Sequence, residues 1–261
     1  MRIFHFLLGL IFSFCLILVL LVTSVEAVVY WTPGYFEKEY QKYGVTDEIN
    51  MEMEDLLDVT DVMMDYLKDK REDLQVVTRV DGTWRTFFSQ RELDHMVDVK
   101  NLFLGGLSLR RICLLSAMLS VALLYVLKGR PSQVLPRVMC IGTGVFFTGA
   151  CLITAIAAPD FTRAFTIFHE IFFDNDLWLL NPRRDLLINI VPEPFFVDTA
   201  VRIAAIFGGS ILLILTVCIL HLRRSKKRVH DGASLLCTHV AREGRLRCGA
   251  FFAFSPQALP G

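Results

Sequence analysis

Four stretches of this chain are too apolar and too long to be left in water, and they constrain everything else about its fold. Ile3 to Val25 is 23 residues without a formal charge, against the ~20 apolar residues a helix needs to cross hydrocarbon. Val25-Glu26-Ala27 passes as a small-residue cleavage site, but the run outlasts the ~7–15-residue apolar core of a cleaved signal, so an uncleaved anchor is expected. Ile112 to Leu127 is shorter and must draw on Leu102 to Leu109, or on Arg110 and Arg111 reaching for the interface. Val138 to Ala158 spans readily, and Thr199 to Leu222 carries only Arg202, close to its start. The 54% hydrophobic content excludes an ordinary water-soluble enzyme.

The fold class expected is an all-α transmembrane bundle of four helices with a small α+β extracytoplasmic domain containing a β-hairpin. Its parts are helices at 3–29, 107–127, 138–158 and 199–222, outward segments at 30–106 and 159–198, a cytoplasmic loop at 128–137, and a basic, disordered cytoplasmic tail at 223–261. Orientation follows from the basic flanks. Lys128, Arg130 and Arg137 lie between passes two and three, and Arg223, Arg224, Lys226, Lys227 and Arg228 follow pass four. Residues 31–101 carry 17 acidic against 9 basic side chains, and 160–198 carry 7 against 3. Both termini are therefore expected in the cytoplasm. The 27 basic and 27 acidic residues cancel overall, which excludes a dominantly nucleic-acid-binding protein. Of seven cysteines, five fall in apolar runs and two in the tail, leaving none to staple the outward domain.

Within 46–67 apolar residues recur at three- and four-residue steps, an amphipathic helix with Thr46 as its expected cap and Asp47 and Glu48 in its first turn. Leu74 to Val80 and Thr83 to Phe88 flank Asp81-Gly82, a strong hairpin signal. Ser89-Gln90-Arg91-Glu92 is a capping box and starts a helix carrying His95, with Asp98 three residues beyond the imidazole. In the second outward segment, His169 sits among phenylalanines and Trp178, residues suited to the headgroup boundary. Asn181-Pro182 and Pro192-Glu193-Pro194 then break and stiffen the chain before the fourth pass.

His95 and His169 are the only histidines on the outer face, so acid-base work at the lipid boundary competes with plain hydrogen-bonded packing for them. His169-Glu170 begins like a zinc-peptidase motif, but Phe173 occupies the place of the second ligand. A zinc set of His95, His169 and Asp174 or Asp176 is chemically permissible without being demanded by the spacing. No Gly-x-Ser-x-Gly elbow and no phosphate-binding glycine loop occurs. Arg110 and Arg111 could meet lipid phosphates or a substrate, with interfacial anchoring the plainer alternative.

Three motifs taken together resemble a known family. They are Glu92-x-x-His95-Met96-x-Asp98-Val99-Lys100-x-Leu102, then Phe168-His169-x-x-Phe172-Phe173-x-Asn175-Asp176-x-Trp178-x-Leu180-x-Pro182, then Leu187-Ile188-x-x-x-Pro192-Glu193-x-Phe195-Phe196. In a four-pass frame covering roughly residues 5–226, they resemble the bacterial lipoprotein intramolecular transacylases. The resemblance implies a membrane enzyme of Gram-positive bacteria. Such an enzyme moves the sn-2 acyl chain of a diacylglyceryl lipoprotein onto the α-amino group of that lipoprotein's own N-terminal cysteine. It implies catalytic imidazoles at His95 and His169. Beside it, the chemistry of the neighbouring residues leads to the expectation that Glu92, Asp98 or Asp176 orients one imidazole and that Arg110, Arg111 and Trp178 contact substrate. Diacylated lipoproteins and membrane lipid are the partners so implied. No metal or cofactor is required, because both reacting groups belong to one substrate and holding them in a near-attack pose is the main task. A zinc-dependent membrane hydrolase and a non-catalytic lipoprotein-binding protein remain the competing expectations.

Overall fold

The computed structural model describes the backbone of residues 2–157 and 161–251 and the side chains of 3–151 and 162–227. The first helix, α1 (Arg2–Glu26), widens at its end into a π-helical turn, Ala27–Trp31. Three short helices follow, α2 (Tyr35–Tyr43), α3 (Val45–Ile49) and α4 (Met53–Leu67), then the antiparallel pair β1 (Val77–Val80) and β2 (Thr83–Thr86). A long helix, α5 (Gln90–Val126), leads into α6 (Pro131–Ala157); α7 (Phe161–Phe172), α8 (Leu187–Ile190) and α9 (Glu193–Phe251) complete the order.

Helices α1, α5, α6 and α9 contain the candidate membrane spans, with mean hydropathies of 2.9, 1.8, 1.5 and 2.7 over their most apolar windows. Only 11% of that window in α9 is buried by the rest of the chain, and Leu212 and Leu213 are 65% and 67% exposed. Apolar surface on that scale needs a non-aqueous solvent around it, and the chain is a multi-pass membrane protein. α1 packs against α5, α6 and α9 alike. Its contact with α6 is close enough that a Cβ on Gly142 would collide with the Ser13 side chain.

The polar end of the bundle has its own core, in which Tyr40, Leu56, Val59, Val80, Phe87, Met96, Ile190 and Phe195 pack together. The hairpin forms where the sequence places it, with Asp81 and Gly82 both at positive φ, 51° and 72°, as a type I′ turn requires. The single helix expected over 46–67 is instead two. Asn50 adopts φ 48°, and its side chain donates to Asp81 Oδ1 at 2.9 Å while its carbonyl accepts the Asp81 N–H at 3.2 Å. Anchoring the hairpin there overrides the helical periodicity, and Thr46, expected as a cap, lies inside α3.

Two ion networks fasten this polar layer to the bundle. Glu26 at the end of α1 is shared by Arg110 of α5 (2.5 Å) and Lys68 after α4 (3.0 Å). Glu39 of α2, 1% exposed, is paired with Arg202 of α9 at 2.8 Å. The tail also departs from expectation, since α9 continues through the basic segment to Phe251 rather than ending at 222. No proline interrupts residues 195–255, so nothing in the sequence forces the helix to stop; residues 252–261 lie outside the described ones.

Candidate active site

His95 is delivered by the capping box. Ser89 Oγ accepts the Glu92 N–H at 3.3 Å, and Glu92 Oε2 accepts the Ser89 N–H at 2.6 Å, so α5 starts at a fixed place and His95 falls in its second turn. The second oxygen of the Glu92 carboxylate accepts the buried Leu187 N–H at 2.6 Å. Ser89 Oγ donates to Asp185 Oδ1 at 3.0 Å, and Asp185 Oδ2 accepts the Asn181 N–H at 2.7 Å. The start of α5 thus holds the 181–187 turn by two hydrogen bonds, and Asp185 closes the turn on itself with a third. The neighbouring turn is held as well: Asp98 accepts from Asn175 Nδ2 at 2.8 Å, and Arg91 bonds to the Asp176 carbonyl and pairs with its carboxylate at 3.5 Å.

These holdings bring His169 of α7 to face His95. The ring centroids are 6.1 Å apart and tilted by 34°, and the two residues are only 6% and 7% exposed. They stand in the wall of a cavity of about 540 Å³, roofed by Phe165, Phe173 and Trp178 and continued by Leu102 and Ile203. That volume lies within the ~300–1,000 Å³ usual for small-ligand sites. Among its lining residues none is Asp, Glu, Lys or Arg. From His95 to Leu102 along α5, and from Phe196 to Ile203 along α9, the lining runs seven residues, about 10 Å of helix. The cavity therefore has a histidine end and a wholly apolar end that points along the spans.

His169 Nδ1 lies 2.7 Å from the Phe165 carbonyl. A carbonyl only accepts, so the ring proton is on Nδ1 and Nε2 keeps its lone pair. Burial holds the imidazole below its ordinary range, opposed by that same hydrogen bond to Phe165. His95 Nδ1 is buried with no partner.

The expected supporting carboxylates are all close by but occupied elsewhere: Glu92 by two backbone amides, Asp98 by Asn175, and Asp176 by Arg91. Their observed contacts build the loop around His169. Trp178 is in the cavity wall, stacked on His169 at 4.8 Å and 30°, with its indole N–H donated to the Asn175 carbonyl at 3.0 Å. Arg110 is committed to Glu26, and Arg111 is exposed on the same helix; neither lines the cavity. The zinc set is not assembled, since no three His, Cys, Asp or Glu side chains among the described residues stand close enough to hold a metal. Sequence reasoning missed Asp185, which pairs with Ser89 across 96 positions without any motif, and the Phe165 carbonyl, whose only signal is its place one turn before His169.

Fold and site together define a membrane-embedded helical bundle with two buried imidazoles in the wall of an apolar crevice. A model of the lipoprotein intramolecular transacylase (Lit) family matches residues 10–196, and the chain belongs to that family. It is an acyltransferase whose substrate is a lipoprotein. The structure of Lit from Bacillus cereus superposes with a TM-score of 0.68 at 22% identity, covering 85% of this chain and 97% of that one. A variant of that protein with one histidine replaced by alanine gives 0.67, with 85% and 94% covered. No curated protein matches by sequence.

Proposed function

We propose that His169 and His95 carry the acyl transfer, His169 as base and His95 as hydrogen-bond donor, at the extracytoplasmic rim of the membrane. The observation that carries this reading is the pair of buried imidazoles, 6.1 Å between centroids, across a cavity lined by no charged side chain.

The substrate on this reading is a diacylglyceryl lipoprotein with a free N-terminal cysteine. Its α-ammonium, pKa ~7.7–8.0 in water, is not a nucleophile until it loses a proton. A cavity without a carboxylate disfavours the ammonium form, because nothing replaces its hydration. The amine attacks the sn-2 ester carbonyl and forms the C–N bond as His169 Nε2 accepts the amine proton. Negative charge grows on the carbonyl oxygen, where an N–H of His95 donates to it. The C–O bond then breaks, and the imidazolium returns its proton to the glyceryl alkoxide. Counted from the neutral amine, the products are an amide-linked acyl chain and a monoacylglyceryl thioether with no net proton change; the proton the ammonium sheds beforehand goes to water. The acyl chain fits the apolar end of the cavity toward Leu102 and Ile203.

The basic residues between passes two and three and after pass four support a cytoplasmic location for both termini, which puts the two histidines on the outer side. The test is a diacylglyceryl-cysteinyl peptide carrying an isotopically labelled sn-2 chain, incubated with enzyme in lipid nanodiscs. The account expects label on the α-nitrogen of the same peptide. Label released as free fatty acid alone would indicate a hydrolase, and unchanged peptide that stays bound would indicate a binding protein.

A further inference from the structure

In a Ser-His-Asp triad a carboxylate holds the imidazole and supports its charge as the proton arrives. His169 has no such partner, since its Nδ1–H goes to the neutral Phe165 carbonyl. What surrounds it instead is aromatic. Ring centroids lie 4.0 Å away for Phe165, 4.8 Å for Trp178, 5.4 Å for Phe168 and 5.5 Å for Phe173. All are inside the ~6 Å centroid distance of cation–π contacts, and tryptophan attracts most strongly. Trp178 is also the most nearly parallel of the four, at 30°. Its own N–H is tied to Asn175, so it has no donor left for a substrate and offers the imidazole only its ring.

We propose that this aromatic box, with Trp178 as its principal wall, takes the place of the triad carboxylate: it orients the His169 imidazole and stabilises the imidazolium formed during transfer. Trp178 is then a positioning residue acting through His169 rather than a substrate contact. This rests on the reading of His169 as base. An apolar cavity has to avoid a fixed negative charge, which would hold the substrate amine as ammonium. A quadrupole that stabilises a transient cation without carrying net charge meets both needs. The titratable group facing His169 from α5 is His95; α4 and α9 present Met63, Phe196, Thr199 and Ile203. On its own segment are Arg163, Glu170, Asp174 and Asp176, all at exposed positions.

The experiment compares wild type, Trp178→Phe and Trp178→Leu in nanodiscs, with histidine-labelled NMR titration of His169 assigned against His169→Asn. Transacylation of the diacylglyceryl-cysteinyl peptide is followed across pH in parallel. Trp178→Leu is expected to lower the His169 titration midpoint by about one pH unit and kcat by up to about tenfold, with KM unchanged. Trp178→Phe should fall between it and wild type. A midpoint unmoved or raised in Trp178→Leu overturns the box, as does a change in KM with kcat intact. The titration needs no turnover, so the two ideas fail separately. Full activity in His169→Asn removes the functional reading, whereas a static midpoint removes the box alone.

Discussion

Glu92→Ala separates two roles that the position of this residue suggests. If the carboxylate serves as a clamp, its removal exposes the cost of what it clamps. It accepts the Leu187 and Ser89 N–H groups at 2.6 Å each, and the side chain is fully buried. Leaving a buried amide without a partner costs about 1–3 kcal/mol, and losing an N-terminal cap interaction about 1 kcal/mol more. Leu187 supplies the first loss and the Ser89 cap the second, so together they come to roughly 2–4 kcal/mol. For a chain of this size that corresponds to a melting point lower by about 10 °C. The assay is thermal unfolding in detergent beside the pH dependence of kcat. The reasoning predicts a large fall in Tm, a fall in kcat as the 181–187 turn loosens, and an unshifted pH profile. A Tm within a degree of wild type together with a displaced pH profile would refute it and return Glu92 to direct contact with a histidine.

Other consequences are smaller or more local. Burial lowers the His169 pKa, so the neutral, proton-accepting form persists to more acidic pH than in a free imidazole. Accordingly kcat, which reports the bound complex, should hold through ~6.5 and fall only below it; a midpoint at or above ~6.5 in the pH-rate curve would contradict this. Asp98→Ala frees Asn175 from α5 and should reduce kcat by about fivefold, the equivalent of ~1 kcal/mol, by loosening the turn that carries Trp178. Unchanged kinetics in that variant would show the turn to be held by its other contacts. Arg110→Met leaves Glu26 with Lys68 alone and should lower stability by about 1–3 kcal/mol without altering KM. A raised KM at unchanged Tm would make Arg110 a substrate contact after all.

How legible the molecule is in its sequence depends on how local the cause is. The passes follow from length and hydropathy, the hairpin from two residues that tolerate positive φ, and the start of α5 from a four-residue capping box. Each is decided within one or two turns of chain. The pairing of His95 with His169 was reachable because orientation and segment length put both at one face of the membrane. Less visible was whatever depends on a partner far along the chain. Asn50 ends α3 because Asp81 meets it, and the helical pattern through 46–67 gives no warning. Glu92 reads as an acid near an imidazole, while in space its free oxygen is claimed by an amide 95 residues away. Arg110 reads as a loose interfacial cation until Glu26, which it shares with Lys68, pairs with it. Trp178 was visible as an aromatic near the membrane, but its stacking on His169 depends on the turn that Asp98 and Arg91 hold.

The central claim is that two imidazoles, and no other side chains, perform the proton transfers of this reaction. Its most direct test is mass spectrometry of the N-terminus of a co-expressed lipoprotein, with wild type, His95→Asn and His169→Asn each verified as folded in the membrane. The account predicts an N-acyl, monoacylglyceryl cysteine with wild type and an unmodified diacylglyceryl cysteine with either variant. Lyso-form product at the wild-type level in either one would contradict it.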